Sequence, residues 1–327
     1  MEIIAEIGSV HDGSFGNACK LIEAAAGAGA DVVKLQTHVA DAETLPDAPM
    51  PAYFSGEPRM AYFERTAFTV EQWKALAEIA RSAGVGFMSS PFAGAAIELL
   101  EEIRVDAYKV ASGEVSNLPL LQQIAQTGRP VYLSSGMSDW NELDRAVEAL
   151  SSGGPLTIMQ CASAYPCPPE QVGLNVIGEM RARYSIDVGY SDHTMGVAAP
   201  FAAAALGASV IEKHFTFSRL MYGSDARHSM EPDEFKDMCV GLRDISRMLE
   251  CEVNKDDLEN YTDMRRIFQK SIVSAGDIDE GMVLSLNDLA FKKPGDGIPA
   301  ADVDRVVGRR ASRRISKNTK ILESDLK

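Results

Sequence analysis

Cysteine and histidine are scarce in this chain, five of each in 327 residues. The cysteines (Cys19, Cys161, Cys167, Cys239, Cys251) are odd in number and contain no Cys-x-x-Cys, which excludes a disulfide framework or a zinc knuckle. They read as reduced thiols of a cytoplasmic protein. Long apolar runs are missing as well. The longest, such as 197–206, is about half of the roughly 20 residues a bilayer span needs. The first residues lack the basic and then apolar segments of a signal peptide and read directly as a strand. There is no Gly-x-x-x-x-Gly-Lys-[Ser/Thr], which argues against a nucleoside triphosphate site. There is no Gly-x-Ser-x-Gly, which argues against a serine nucleophile. Positive charge is in deficit. The net charge of −15 would repel nucleic acid and anionic membranes, so neither is an expected partner.

What is present is an ordinary globular composition, 46% hydrophobic and 24% charged, with a mean hydropathy of −0.09. From residue 2 to residue 251 one pattern repeats: a short β-branched or apolar run, then an amphipathic stretch of helical length. The pattern predicts strands at 3–7, 32–36, 86–89, 107–110, 131–134, 156–160, 186–190 and 210–214. Helices fall between and after them at 17–28, 69–83, 93–103, 118–127, 139–151, 176–184, 196–206 and 231–251. Eight such units in about 250 residues predict a (β/α)8 TIM barrel. An open doubly wound sheet is the competing reading, but Gly8 to Gly16 does not supply a Gly-x-Gly-x-x-Gly. Residues 37–68 form a long insertion after the second strand, rich in Pro46, Pro49, Pro51, Tyr53, Phe54, Pro58, Tyr62 and Phe63, of the kind that forms a lid or binding loop.

The charge is uneven. Residues 1–267 carry −17 and residues 268–327 carry +2. The tail also repeats itself: Ile278-x-x-Gly281-x-x-Leu284-x-x-x-Asp288-Leu289 matches Ile315-x-x-Asn318-x-x-Ile321-x-x-x-Asp325-Leu326, 37 residues on. The expected organisation is a barrel over 1–251, a polar linker over 252–266 and a small β-rich domain over 267–327.

All five histidines (His11, His38, His193, His214, His228) fall at or just past predicted strand ends, on the barrel face where active sites are built. His193 and His214, from neighbouring strands, make the best pair for a divalent metal, with Asp12, Glu114 or Asp225 nearby to complete its shell. Lys34 and Lys109 end two strands. Ser112, Ser134, Ser163 and Ser191 end or follow others. Ammonium groups, hydroxyls and free loop N–H groups suit a phosphate or a carboxylate. Cys161 reads as a packed thiol.

The motifs Ala5-Glu6-Ile7-Gly8, Val33-Lys34-Leu35-Gln36-Thr37, Ser90-Pro91-Phe92, Tyr108-Lys109-Val110-Ala111-Ser112-Gly113-Glu114, Leu133-Ser134-Ser135-Gly136-Met137, Ser191-Asp192-His193-Thr194 and Glu212-Lys213-His214-Phe215 occur in that order. Together the set resembles the sialic acid synthase family, the N-acetylneuraminate synthases and their legionaminate and pseudaminate relatives. Lys293-Pro294-Gly295-Asp296-Gly297-Ile298 and Gly308-Arg309-Arg310 resemble that family's C-terminal antifreeze-like (SAF) domain.

The resemblance implies condensation of phosphoenolpyruvate with an N-acylated amino-sugar aldehyde, giving a nine-carbon 2-keto-3-deoxy acid and phosphate. It implies a divalent cation, Mn2+ or Mg2+, on His193 and His214. Lys109, Ser112, Ser134 and Ser191 match the phosphate site, with Lys34 and Ser90 at the same mouth. Asp12, Glu114 and Asp225 match catalytic carboxylates, and Tyr165 a tyrosine beside the sugar. It further implies a domain-swapped homodimer in which the SAF domain of one subunit caps the barrel of the other. Four residues depart from the family pattern: Val10 for Asn, Asp12 for Glu, Ser163 for a phosphate-holding Asn, and Lys293 for the Arg that reaches the N-acyl group. They leave the reaction class standing and the acceptor open, N-acetylmannosamine or a 2,4-diacetamido-2,4,6-trideoxyhexose, with the latter favoured. Related enolpyruvate-dependent synthases or aldolases using phosphorylated or non-acylated sugars are the alternative, and a non-catalytic sugar-binding barrel is disfavoured by the intact histidines and lysines.

Overall fold

Eight parallel strands close in chain order into one barrel, with β8 pairing back onto β1. The computed structural model describes residues 1–49 and 57–327. The strands are β1 (Glu2–Gly8), β2 (Val32–Thr37), β3 (Gly86–Pro91), β4 (Ala107–Val110), β5 (Val131–Ser134), β6 (Leu156–Cys161), β7 (Asp187–Asp192) and β8 (Val210–His214). The expected TIM barrel is therefore present, and each strand lies within two residues of its expected bounds. The helices packed around it are α1 (Phe15–Gly27), then α4 (Val70–Ser82), α5 (Gly94–Glu102), α6 (Leu118–Gln126), α7 (Trp140–Leu150), α8 (Leu174–Tyr184), α9 (Ala198–Ala205) and α10 (Pro232–Glu250). Two short helices, α2 (Ala40–Glu43) and α3 (Arg59–Thr66), form inside the insertion, which composition alone reads as loop. Of the aromatic and proline residues there, Pro51, Tyr53 and Phe54 lie outside the described residues.

Local chemistry starts these helices where the pattern does. Ser14 caps α1, and Thr69 and Asp139 make reciprocal capping boxes with Gln72 and Glu142. No helix among the described residues is long and apolar enough to cross a membrane.

The barrel interior decides where function sits. Side chains alternate in and out along a strand, so every second residue points inward. Near the bottom, Ile4, Val32, Met88, Ala107, Tyr132, Met159 and Val210 pack together as an apolar plug. Gly189 belongs to this level because Met159 occupies its space: a Cβ there would meet the sulfur at 2.4 Å. Two residues further along the same strands stand Glu6, Lys34, Ser90, Lys109, Ser134, Cys161, Ser191 and Glu212. Each strand thus changes from apolar to polar or thiol in a single inward step, and the upper layer becomes the floor of the site.

The chain divides into two compact units, 1–251 and 252–327. The stretch read as linker belongs to the second unit and includes the start of α11 (Thr262–Phe268). In that unit β9 (Ser271–Ser274) and β10 (Leu289–Lys292) pair antiparallel. The 37-residue repeat is structural. Ile278 and Ile315 exchange both backbone hydrogen bonds, at 2.8 and 2.9 Å. The matched pairs Ile278/Ile315, Leu284/Ile321 and Leu289/Leu326 share one core. Gly281 and Asn318, also matched, both adopt left-handed backbone, φ +82° and +63°.

That last match generates a stability prediction. A Cβ at Gly281 would meet nothing within 4 Å, so the cost of Gly281→Ala is backbone strain alone, about 1–2 kcal/mol. Asn318→Gly, relieving the same strain, should leave stability unchanged or raise it slightly. Urea unfolding followed on the second unit checks both. Equal destabilisation by the two would show that the halves do not share this requirement.

Candidate active site

The upper layer floors a cavity of about 380 Å³ at the C-terminal mouth of the barrel. It is large enough for two small substrates together. Lys34, Ser90, Lys109, Ser112, Ser134, Ser163, Tyr165, Ser191, His193, His214 and Asp225 all line it. Asp12 and Glu114 do not, and Lys293 belongs to the second unit.

The floor is a buried chain of alternating charges. Lys109 Nζ lies 2.8 Å from both carboxylate oxygens of Glu212. Lys34 Nζ lies 3.3 Å from Glu212 and 3.3 Å from Glu6. Ser191 Oγ donates to Glu212 at 2.8 Å, and Gln36 Nε2 donates to Glu6 at 2.8 Å. Burial works against every one of these charges, and the outcome depends on neighbours. Burial pushes the Glu212 carboxyl up, but Lys109 and Lys34 together pull it well below the usual range. Burial pushes Lys34 down, but its two carboxylates more than offset this and leave it raised. Lys109 faces one carboxylate and the repulsion of Lys34, so burial wins and it is lowered. Glu6 is raised, by burial first. Sequence reasoning missed Glu6 and Glu212 as site residues. The signal was there: each stands one inward step above an apolar position.

Above the floor the hydroxyls gather round a bare stretch of backbone. Ser112 and Ser134 share a hydrogen bond of 2.8 Å. A Cβ on Gly136 would collide with Ser163 Oγ at 2.3 Å and Ser112 Oγ at 2.5 Å, so only glycine fits between them. Ser163 Oγ is buried without a hydrogen-bond partner. An unpaired buried hydroxyl is costly, and an incoming oxyanion would satisfy it.

The imidazoles of His193 and His214 face each other with ring centroids 5.4 Å apart, and the Tyr165 ring lies 4.1 Å from the first. His193 Nδ1 bonds to the Ala162 carbonyl at 2.9 Å, which fixes the ring and leaves Nε2 as the lone-pair side. His214 Nδ1 is buried and has no hydrogen-bond partner. Burial, with the nearby His193 and Lys34, holds His214 down to about 4, so it is neutral at physiological pH and its lone pair is available. These features fit a divalent cation held by two imidazoles. No group of three or more His, Cys, Asp or Glu among the described residues is arranged to hold a metal, so water and substrate oxygens would complete the shell. Beneath the pair, Lys213 is ion-paired with Asp192, and Asp192 accepts from Tyr190 Oη at 2.7 Å and from the Thr194 amide at 3.0 Å. These residues sit beside the two histidines in sequence and lock both strand ends.

Cys161, read as a packed thiol, lines the cavity 3.8 Å from His193 Nδ1. Burial raises its thiol, but the His193 hydrogen bond and the charge of that ring when it is protonated, with Lys109, outweigh this and bring it down to about 7. Of the five histidines, four line the cavity; His11 is packed against Phe68 instead. Asp225 is the cavity-facing member of the three carboxylates singled out in sequence, with Ser224 Oγ donating to it at 2.9 Å. Asp12 has left-handed backbone at φ 53° and is paired to Arg65 at 2.8 Å, which also holds Glu57 at 2.6 Å. Glu114 sits in the turn after β4 and accepts from Asn117 Nδ2 at 2.8 Å. In the second unit, Lys293 Nζ stands 5.0 Å from the Phe268 ring centroid.

Comparisons with known proteins place the chain among named relatives. The NeuB family model matches residues 21–254, and the SAF domain model matches residues 269–327. The chain is 34% identical to the N,N'-diacetyllegionaminic acid synthase of Campylobacter jejuni, over 98% of both chains. It is 32% identical to the human N-acetylneuraminate-9-phosphate synthase, over 98% of this chain and 91% of that one. The crystal structure of the sialic acid synthetase of Leptospira borgpetersenii aligns with a TM-score of 0.71 at 29% identity, covering 80% of this chain and 90% of that one. A closed barrel with two facing imidazoles above a lysine-bearing floor, followed by a SAF domain, is thus the chain of an enzyme of the sialic acid synthase type, and this protein belongs to the NeuB family.

Proposed function

We propose that the enzyme condenses phosphoenolpyruvate with an N-acylated amino-sugar aldehyde, giving a nine-carbon 2-keto-3-deoxy acid and inorganic phosphate. The observation that carries this reading is the joining, in one cavity, of an oxyanion cradle and an imidazole pair with open coordination. Lys109, Ser112, Ser134, Ser163 and Ser191 hold the phosphate, and Lys34 and Ser90 the carboxylate of the enolpyruvate. His193 and His214 would hold a divalent cation, Mn2+ or Mg2+, which would supply Lewis acidity toward the aldehyde. C3 of the enolpyruvate forms the new bond to the aldehyde carbon. Water then adds at C2, its proton passing to a carboxylate, and the C2–O bond to phosphate breaks. Asp225 faces the cavity and takes that proton; Asp12 and Glu114 hold the surrounding loops. Tyr165 stacks beside the sugar. Fixing two substrates in line supplies much of the acceleration.

The favoured acceptor is a 2,4-diacetamido-2,4,6-trideoxyhexose, because Lys293 offers a point charge where a planar guanidinium fork would suit plain N-acetylmannosamine. The working unit is a homodimer in which each C-terminal unit caps the partner's barrel. Support comes from the second unit itself: Tyr261, Met264, Ile267 and Phe268 are each more than half exposed. So large an apolar surface beside Lys293 is expected to be covered. Phosphate release from phosphoenolpyruvate across a panel of amino sugars tests the whole reading.

Four outcomes are expected. His214→Ala should abolish turnover without unfolding the barrel, since it stands at the mouth and not in the apolar plug; near-normal turnover after chelation and resupply of Mn2+ would remove it from the metal site. Lys109→Met should raise the apparent KM for phosphoenolpyruvate roughly ten- to a hundredfold. Glu212→Gln should leave Lys109 exposed to burial and to Lys34 alone. Lys109 would then lose its proton at lower pH than it does in the parent, so the weakening of phosphoenolpyruvate binding with rising pH should set in at lower pH in the variant. Matching pH profiles would show that Lys109 does not depend on that carboxylate. Finally, mixing Lys293→Ala chains with His214→Ala chains should restore activity, because one of the two composite sites keeps both groups. No recovery despite demonstrated subunit exchange would mean that each tail serves its own barrel.

A further inference from the structure

Described residues of the insertion after β2, with Phe92 just past β3, build one wall of the cavity, and its construction differs from the rest. Four flat groups are stacked in a column. Arg59, on α3, lies with its guanidinium 5.3 Å from the centroid of Phe63. Phe63 stacks on His38 at 3.8 Å and 9°. His38 stacks on Phe92 at 4.3 Å and 12°. His38 is held in place by Glu43 at 2.7 Å, so the column is fixed from behind. All four members line the cavity. Lys34 and Lys109 already face carboxylates on the floor, and Arg65, also on α3, is paired with Asp12 and Glu57. Arg59 forms no ion pair among the described residues.

We propose that this column receives the distal half of the acceptor sugar, and that Arg59 donates to the carbonyl oxygen of its second acylamino group. The inference rests on the proposed condensation. An acylamino group has a carbonyl that a planar guanidinium can bond and a methyl that packs on an aromatic face. A 6-deoxy sugar presents a further methyl to the same faces. A phosphate would want several donors at once, and this wall offers one guanidinium beside two phenyl rings and an imidazole already engaged by Glu43. Arg59 is thus a specificity-determining residue, separate from the enolpyruvate groups and from the histidine pair.

Arg59→Met tests this, because it keeps the stem over Phe63 and removes the guanidinium. The readouts are KM and kcat for the 2,4-diacetamido-2,4,6-trideoxyhexose, for N-acetylmannosamine and for N-acetylmannosamine 6-phosphate. Where a sugar is not turned over, its inhibition constant replaces KM. KM for the diacetamido sugar should rise by about tenfold or more with kcat nearly unchanged, while N-acetylmannosamine and phosphoenolpyruvate shift by less than about twofold. Equal changes for the diacetamido sugar and N-acetylmannosamine, or no change for either, overturn the proposal. A loss largest for the 6-phosphate also overturns it and assigns Arg59 to a phosphate. If the parent enzyme releases no phosphate with any of the three sugars, it is the condensation reading that fails, which the parent enzyme alone reveals.

Discussion

A barrel interior has room for side chains and little for bulk water, so a lysine there stays charged only if something beside it is charged oppositely. Glu212 is that group. It holds Lys109 through both oxygens and reaches Lys34, while Glu6 supports Lys34 from the other side. The two ammonium groups are thereby fixed a few ångströms apart, charged and pointing at the same place, before any substrate arrives. Oriented charge that needs no rearrangement at the moment of reaction is the form of preorganisation that contributes most to catalysis. The serine cradle and the imidazole pair are arranged around this centre.

Much of this was legible in the amino-acid sequence. The eight strand–helix units were readable because β-branched runs alternate with amphipathic stretches and because capping residues such as Thr69 and Asp139 mark the starts. The histidine pair and the lysines were readable as polar residues at strand ends. Glu6 and Glu212 were not recognised, because a carboxylate inside a strand looks like an outward-facing residue until the inward set is identified from the apolar plug below it. The two short helices of the insertion were hidden by its prolines. The second of them, α3, is held by burying Tyr62, Phe63 and Thr66, a tertiary effect that local pattern does not carry.

Asp12 shows the other limit. Its position in the loop after β1 marks it for chemistry, but its carboxylate belongs to Arg65, which ties that loop to the insertion. Tyr222, from the loop after β8, adds a third attachment through Glu57. Three separate loops thus meet around Arg65 and Glu57.

The inward step from apolar plug to polar floor also limits how this protein can change. Because the side-chain period is two, inserting or deleting a single residue inside any strand would swing that strand's functional group out against the surrounding helices and bring an apolar neighbour into the cavity. The loops above the floor can lengthen, shorten and exchange residues without that penalty. Divergence of such a chain is therefore channelled into the rim. The parity of residue positions in the eight strands keeps the underlying reaction in place.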